Sequence, residues 1–142
     1  MTTIAWGRPS DDYLADTFTF IAWLNPRDNA HLLVAAYLDV FSGRILTTEW
    51  VLMELADAFS APEARSTAVA FLRAVRADPL FEVVGHVPAV YQAGFDLFAA
   101  RPDKAWSLTD CISFGVMTER KLSEALTADY HFEQAGFRAV FK

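Results

Sequence analysis

Several features that mark other protein classes are scarce in this sequence of 142 residues. It has a single cysteine, Cys111, which excludes an internal disulfide and is compatible with a reducing cytoplasm. No apolar run approaches the roughly 20 residues of a membrane span, and residues 50–59 are interrupted by two acids. The first residues show neither the basic nor the apolar region of a secretory signal. We therefore expect a cytoplasmic protein with no membrane contact.

Basic residues are also fewer than acidic ones. Twelve Lys and Arg face eighteen Asp and Glu, giving a net charge of −6. This balance argues against broad, non-specific binding of nucleic acid by the protein surface. It does not exclude a nuclease whose acids are neutralised by metal ions. The basic residues are scattered and are expected to form an ordinary solvated surface: Arg27, Arg73, Arg76, Arg101 and Lys104.

Apolar and aromatic residues are abundant, with a hydrophobic fraction of 54%, twelve Phe and four Trp. The length suits one domain with a substantial core, and we assign residues 11–142 to it after a loosely attached lead-in, residues 1–10. So many aromatic side chains are not expected to fit one core. The excess, drawn from Trp23, Trp50, Phe71 and Phe95, predicts an exposed apolar patch that serves a homodimer or binds a partner's helix in a groove.

Predicted strands alternate with predicted helices along the chain. Residues 17–24, TFTFIAWL, are apolar throughout and are compatible with either structure. Alternation of this kind implies parallel strand pairing in a layered α/β sandwich. The pattern predicts strands at 11–16, 44–47, 80–84, 125–128 and 137–141, and helices at 29–41, 49–59, 60–77, 88–100 and 109–120.

Three acids lie at junctions between these elements. Asp16 ends the first strand, Asp129 closes the strand at 125–128, and Asp110 opens the helix at 109–120. In an open α/β sheet, strand carboxyl ends and helix starts meet at the edge where ligands bind. A shared site at that edge is therefore predicted for all three.

A fourth acid, Glu54, lies within the helix predicted at 49–59. Three of its four neighbours one helical turn away are apolar, so its side chain is expected to face inward. A buried carboxylate needs a partner, because burying an unpaired charge is costly. Glu54 is therefore expected either to pair with an arginine or to belong to the site that the other acids form.

Each acid also has an ordinary structural interpretation. Ser107 and Asp110 fit a helix capping box, Asp129 suits a turn, and Asp16 suits a helix cap. Taken together, however, four crowded carboxylates would repel one another and take up protons. A hard divalent cation such as Mg²⁺ or Mn²⁺ relieves that repulsion and suits phosphodiester hydrolysis, where it lowers the pKa of water and neutralises charge on the transition state.

The segments that carry these acids resemble the ordered acidic motifs of PIN-domain ribonucleases. They are Asp16-Thr17, TTEWVLMEL with Glu54, SLTDCISF with Asp110, and LTADYHFEQAGF with Asp129. The resemblance spans about residues 12–141, and its last segment is the most specific. It implies a PIN-like three-layer α/β sandwich with a central, mainly parallel sheet flanked by helices. It also implies that Asp16, Glu54, Asp110 and Asp129 bind Mg²⁺ or Mn²⁺, with hydrogen-bond support from Thr17 and Thr127.

The resemblance further implies a metal-dependent endoribonuclease acting on RNA. Many small members are VapC-like toxins held by an antitoxin protein, so an antitoxin partner is expected. Two alternatives stay open: a catalytically silent PIN-like module that binds RNA or protein, and a phosphatase. Other candidate residues are expected to be structural, with His131 packed against the turn at 130–135 and Cys111 in the core.

Overall fold

A computed structural model of the protein describes residues 12–142. The predicted lead-in and Asp11 lie outside the described residues. Within them the chain forms five short strands, which run as β1 Asp12–Ala15, β2 Arg44–Thr48, β3 Phe81–Val84, β4 Glu124–Leu126 and β5 Arg138–Ala139.

The five described strands form one sheet in the order β3-β2-β1-β4-β5, and each neighbouring pair is parallel. The chain begins with the central strand, builds outward through β2 and β3, and then crosses to β4 on the other side. This reversal puts a topological switch point between β1 and β4, where open α/β sheets bind ligands. The predicted parallel α/β architecture is thus confirmed.

Seven helices within residues 12–142 cover the sheet. The stretch that was compatible with strand or helix is α1. The helices are α1 Thr17–Leu24, α2 His31–Asp39, α3 Glu49–Ala58, α4 Pro62–Ala77, α5 Pro88–Ala100, α6 Leu108–Arg120 and α7 Tyr130–Gln134.

Both faces of the sheet are buried, which gives the three layers. Along β1, Ala15 belongs to the core formed with α1, α3 and α4, whereas Leu14 belongs to the core formed with α6 and α7. Successive strand side chains point to opposite faces, so each strand contributes to both cores. Strands buried on two sides must be apolar almost throughout, as parallel strands usually are.

The second face is completed by α5, which packs tightly on α6. A Cβ built on Gly94 would lie 2.3 Å from Ile112 Cγ1 and 2.7 Å from Ile112 Cα. The two helices therefore approach so closely that this position accepts only glycine. Their packing fixes the α6 helix and hence the direction in which its first turn presents side chains.

Several local predictions were wrong. The helix predicted at 60–77 begins two residues later, at Pro62: its cap residue is Ala61, and the Ser60 hydroxyl donates back to the Ala56 carbonyl at the end of α3. The predicted turn at 130–135 is the short helix α7. The helix predicted at 29–41 is the shorter α2. Val34 is its buried residue, whereas Leu32, Leu33 and the C-cap residue Val40 are exposed, because α2 packs on α1 through a different face.

Candidate metal centre

The adjacent strands β1 and β4 lead the chain to the same edge of the sheet. Ala15 pairs with Leu126 in the parallel register, so the residues that follow, Asp16 and Thr127, lie side by side. The Thr127 hydroxyl donates a hydrogen bond to Asp16 Oδ2 at 3.0 Å. The switch point thus holds a carboxylate supported by a buried threonine.

Asp16 is almost completely buried, with 7% of its surface exposed. Its Oδ1 has no hydrogen-bond partner. Burial raises the pKa of this carboxyl from 3.8 to about 8; the Thr127 hydrogen bond opposes the rise, and the charges of Asp110 and Asp129 add to it. A carboxylate that is buried, half unpartnered and close to two other acids is strongly destabilised in its charged form.

Asp129 lies three residues beyond the end of β4, so the prediction that it closes the strand was wrong by that distance. It instead caps α7, where its Oδ1 accepts from the His131 amide at 2.9 Å. Its own amide donates to the Thr127 hydroxyl at 3.0 Å. Thr127 therefore contacts both Asp16 and Asp129 and fixes their relative position.

Asp110 occupies the first turn of α6. The sequence offered two interpretations for it, a capping box with Ser107 and a place among the acids of the shared site. The Ser107 hydroxyl accepts from the Asp110 amide at 2.9 Å, and Asp110 Oδ2 accepts from the Ser107 amide at 3.2 Å, which completes a capping box. Burial raises the pKa of the Asp110 carboxyl, and the Asp129 charge raises it further, while the Ser107 amide and His131 lower it. The cap therefore orients Asp110 towards the other acids rather than excluding it from their site.

Glu54 is placed differently from the prediction. It is exposed, so the expected inward orientation was wrong. Its described partner is the Thr17 hydroxyl, which donates a short hydrogen bond to Glu54 Oε1, and not an arginine. Because Thr17 directly follows Asp16, this contact holds Glu54 at the rim of the site.

His131 was expected to pack against the turn at 130–135. Its ring does lie 4.6 Å from that of Tyr130, but it also contacts two of the acids, which was not expected. Its Nδ1 lies 3.3 Å from Asp110 Oδ2 and 3.4 Å from Asp129 Oδ1. The reason is local, because a side chain in the first turn of a helix points back towards the helix start, and Asp129 caps that start. The Asp-x-His spacing was the one signal in the sequence for this contact.

Three ligand atoms, one each from Asp110, Asp129 and His131, lie within 4.8 Å of one another. Asp16 adds a buried oxygen without a partner beside them. Carboxylate oxygens and an imidazole nitrogen are donors that divalent cations use. The donor set and the unpartnered oxygen therefore fit a divalent cation, which would also remove the repulsion among the acids.

Other candidate residues have structural roles. Cys111 is fully buried in the second core, as predicted. Of the scattered basic residues, Arg76 binds Glu49 in a bidentate pair and Arg101 binds Asp103 in the same way. Among the described helices, none combines the length and apolar character that spanning a membrane requires.

The fold and the site together are those of an α/β protein with a parallel sheet whose switch point gathers several acids. The family profile of the PIN domain matches residues 13–138, so this chain belongs to the PIN domain family. No curated protein matches the chain.

The solved structures that are similar in fold include two bacterial proteins. One is VapC20 from Mycobacterium tuberculosis, described as a sarcin-ricin loop cleaving toxin. It is 22% identical, has a TM-score of 0.83, and the alignment covers 90% of this chain and 98% of that one. The other is FitAcB from Neisseria gonorrhoeae, 20% identical with a TM-score of 0.63, where the alignment covers 92% of this chain and 96% of that one. At these identities the likeness extends to the fold.

Proposed function

We propose that the protein is a divalent-metal-dependent endoribonuclease of the PIN family. The observation that carries the proposal is the carboxyl of Asp16. It is buried at the switch point, its Oδ1 has no partner, and two further acids lie nearby. Burying this carboxylate in its charged form costs much free energy in the metal-free protein. A cation bound at the site would offset that cost, which would explain why an acid is present.

In this proposal Asp16, Asp110 and Asp129 hold Mg²⁺ or Mn²⁺. The cation would supply charge neutralisation and lower the pKa of water for attack on phosphorus. Glu54 either reaches the cation or orients the attacking water, since Thr17 keeps it at the rim. Thr127 acts as a positioning residue for Asp16 and Asp129.

RNA is the proposed substrate because the acidic motifs resemble those of PIN-domain ribonucleases, and VapC20, the structure with the TM-score of 0.83, is described as a sarcin-ricin loop cleaving toxin. By the same analogy we propose that the chain is the toxin of a toxin–antitoxin pair and acts in the cytoplasm. The net charge of −6 means that few phosphates are neutralised by side chains, so RNA binding without metal should be weak.

Two exposed apolar surfaces suit the proposed partners. Along α5 and its N-cap residue, four apolar side chains recur at helical spacing and are each 40–49% exposed: Val87, Tyr91, Phe95 and Phe98. We assign this α5 stripe to a homodimer. Leu32, Leu33 and Val40 on α2 form a second exposed surface, which we assign to the antitoxin.

The experiment is an RNA cleavage assay with Mn²⁺, Mg²⁺ or EDTA, on the wild type and the variants Asp129→Asn and Glu54→Gln. Asp39→Asn is the matched control, because Asp39 is an exposed acid at the end of α2, before the opposite edge of the sheet. We expect cleavage only with metal, and a loss of about a hundredfold or more in both site variants but none in the control.

Three results would contradict the proposal. Equal cleavage in EDTA would remove the metal from the mechanism. Tight, strongly salt-dependent RNA binding without cleavage would favour the silent binding module. Hydrolysis of a phosphomonoester but not of RNA would favour a phosphatase.

A further inference from the structure

The imidazole of His131 lies between two of the acids and is mostly buried, with 18% of its side chain exposed. Its Nδ1 is almost equally far from Asp110 Oδ2 and Asp129 Oδ1, at 3.3 and 3.4 Å. The α7 cap sets this position, because Asp129 Oδ1 also accepts from the His131 amide at 2.9 Å. The nitrogen is therefore held in place by backbone geometry.

Hydrogen bonding accounts for one of these two contacts but not for both. A ring nitrogen carries at most one proton, and both distances exceed the usual value of about 2.9–3.0 Å. Both oxygens already have other donors, the Ser107 amide at 3.2 Å and the His131 amide at 2.9 Å. Nδ1 is within hydrogen-bond distance of Asp110 Oδ2 at 3.3 Å, but its single proton cannot also satisfy Asp129 Oδ1 at 3.4 Å.

The same distances suit atoms that share one cation. Two ligands in adjacent positions are separated by about 3.0 Å around an octahedral ion with bonds of about 2.1 Å. They are separated by about 3.3 Å around a tetrahedral ion with bonds of 2.0–2.1 Å. The observed separations lie at the tetrahedral value and slightly above the octahedral one.

An independent observation supports a cation at this place. Asp16 is more than nine-tenths buried, and its Oδ1 has no partner. Asp110 and Asp129 lie close enough for their charges to act on the Asp16 carboxyl. A cation bound through His131, Asp110 and Asp129 would therefore also stabilise the charged form of Asp16.

We infer that Nδ1 of His131 is a direct ligand of the cation, alongside Asp110 and Asp129. The neutral imidazole would keep its proton on Nε2. A mixed nitrogen and oxygen set favours transition ions over Mg²⁺, since imidazole suits the later divalent ions and affinity rises from Mn²⁺ towards Co²⁺ and Ni²⁺. This inference rests on the metal-dependent function proposed above and makes it specific: the centre selects Mn²⁺ and Co²⁺ over Mg²⁺.

Pulsed electron paramagnetic resonance on Mn²⁺ bound to the wild-type protein tests the ligand directly. We expect a coupling to a directly bound ¹⁴N nucleus, absent in His131→Ala and in His131→Gln. The matched control is His86→Ala, because His86 is an exposed histidine that packs its ring on Trp50 two strands away. It should keep the coupling. The presence or absence of the ¹⁴N coupling in the wild-type spectrum tests nitrogen ligation by itself, so the test does not depend on the folding of any one variant.

Calorimetric titrations with Mn²⁺, Co²⁺ and Mg²⁺ give a second measurement. His131→Ala should weaken binding of Mn²⁺ and Co²⁺ by about tenfold or more and that of Mg²⁺ by less, so that selectivity is lost. Equal weakening for all three ions would assign His131 to positioning Asp110 by a hydrogen bond and would overturn the inference.

The same data separate this inference from the proposed function. If the wild type binds Mn²⁺ without nitrogen coupling and Asp129→Asn abolishes binding, the metal centre stands and His131 is not its ligand. If the wild type binds none of the ions, both the inference and the metal-dependent function are wrong.

Discussion

Replacing Asp16 by Asn should change the pH dependence of stability in the metal-free protein. The folded carboxyl has a pKa of about 8, against 3.8 for the ordinary side chain. Between these values the folded protein holds a proton that the unfolded chain has released. The free energy of unfolding must then fall as pH rises, because the folded state binds more protons.

The expected size follows from the width of that window. Each pKa unit corresponds to about 1.4 kcal/mol, so the contribution of Asp16 to unfolding free energy falls by roughly 4 kcal/mol between pH 5 and pH 8. Below pH 3.8 that contribution is fully present, and above pH 8 it is lost. Asn keeps the shape of the protonated acid and does not titrate, so the variant should be more stable than the wild type by an amount that grows with pH.

Urea denaturation in EDTA at pH 5, 6, 7 and 8 measures this difference. Asp39→Asn is again the control and should run parallel to the wild type, since Asp39 is exposed. Saturating Mn²⁺ should stabilise the wild type at pH 8, by about 2.7 kcal/mol at a hundredfold excess over its dissociation constant, and should stabilise Asp16→Asn less. A stability difference between Asp16→Asn and wild type that is the same at pH 5 and pH 8 would refute this account of Asp16.

Two further predictions concern packing and assembly. Gly94→Ala should destabilise the protein by about 1–3 kcal/mol in thermal or chemical unfolding, because the added Cβ meets the Ile112 backbone; an unchanged stability would contradict the tight α5–α6 packing. The protein should be a dimer by light scattering at tens of micromolar, and Phe95→Asp should make it a monomer with unchanged helix content, whereas a wild-type monomer would leave the α5 stripe without its assigned partner.

Much of the architecture could be predicted from the sequence because local signals were strong. Pro88 in the first turn of α5 and the Ser107–Asp110 capping box of α6 mark helix starts unambiguously. The acids at element junctions could be placed on one edge because parallel strands bring their carboxyl ends together. These predictions required only local helix-capping signals and the rule that parallel strands end at the same edge of a sheet.

Side-chain orientation was less predictable, because it depends on which surface a helix packs against. Leu32 and Leu33 have the composition of a buried face, but α2 packs on α1 through its other side. Glu54 has apolar sequence neighbours and is nevertheless exposed at the rim. Periodicity gives the relative arrangement of residues on a helix, whereas tertiary packing decides which arc faces inward.

His131 was missed for a related reason. Its position depends on Asp129 acting as the cap of α7, and a helix of five residues gives almost no periodic signal. Once Asp129 caps that helix, the residue two positions later must return towards it. One acid can both cap a helix and contribute to a metal site. Treating these two interpretations as alternatives therefore hides residues that do both.

Among the acids, Asp16 best distinguishes the helix-cap interpretation from the metal-ligand interpretation. Asp110 and Asp129 each have a structural reason to be acids, because each side chain accepts a backbone hydrogen bond at a helix start. Asp16 precedes α1 but makes no such cap; the Thr19 amide lowers its pKa without forming a hydrogen bond of normal geometry. Asn or Ser could occupy this position without the cost of a buried charge. The cation proposed above therefore explains an acid at this N-cap position better than the fold alone does.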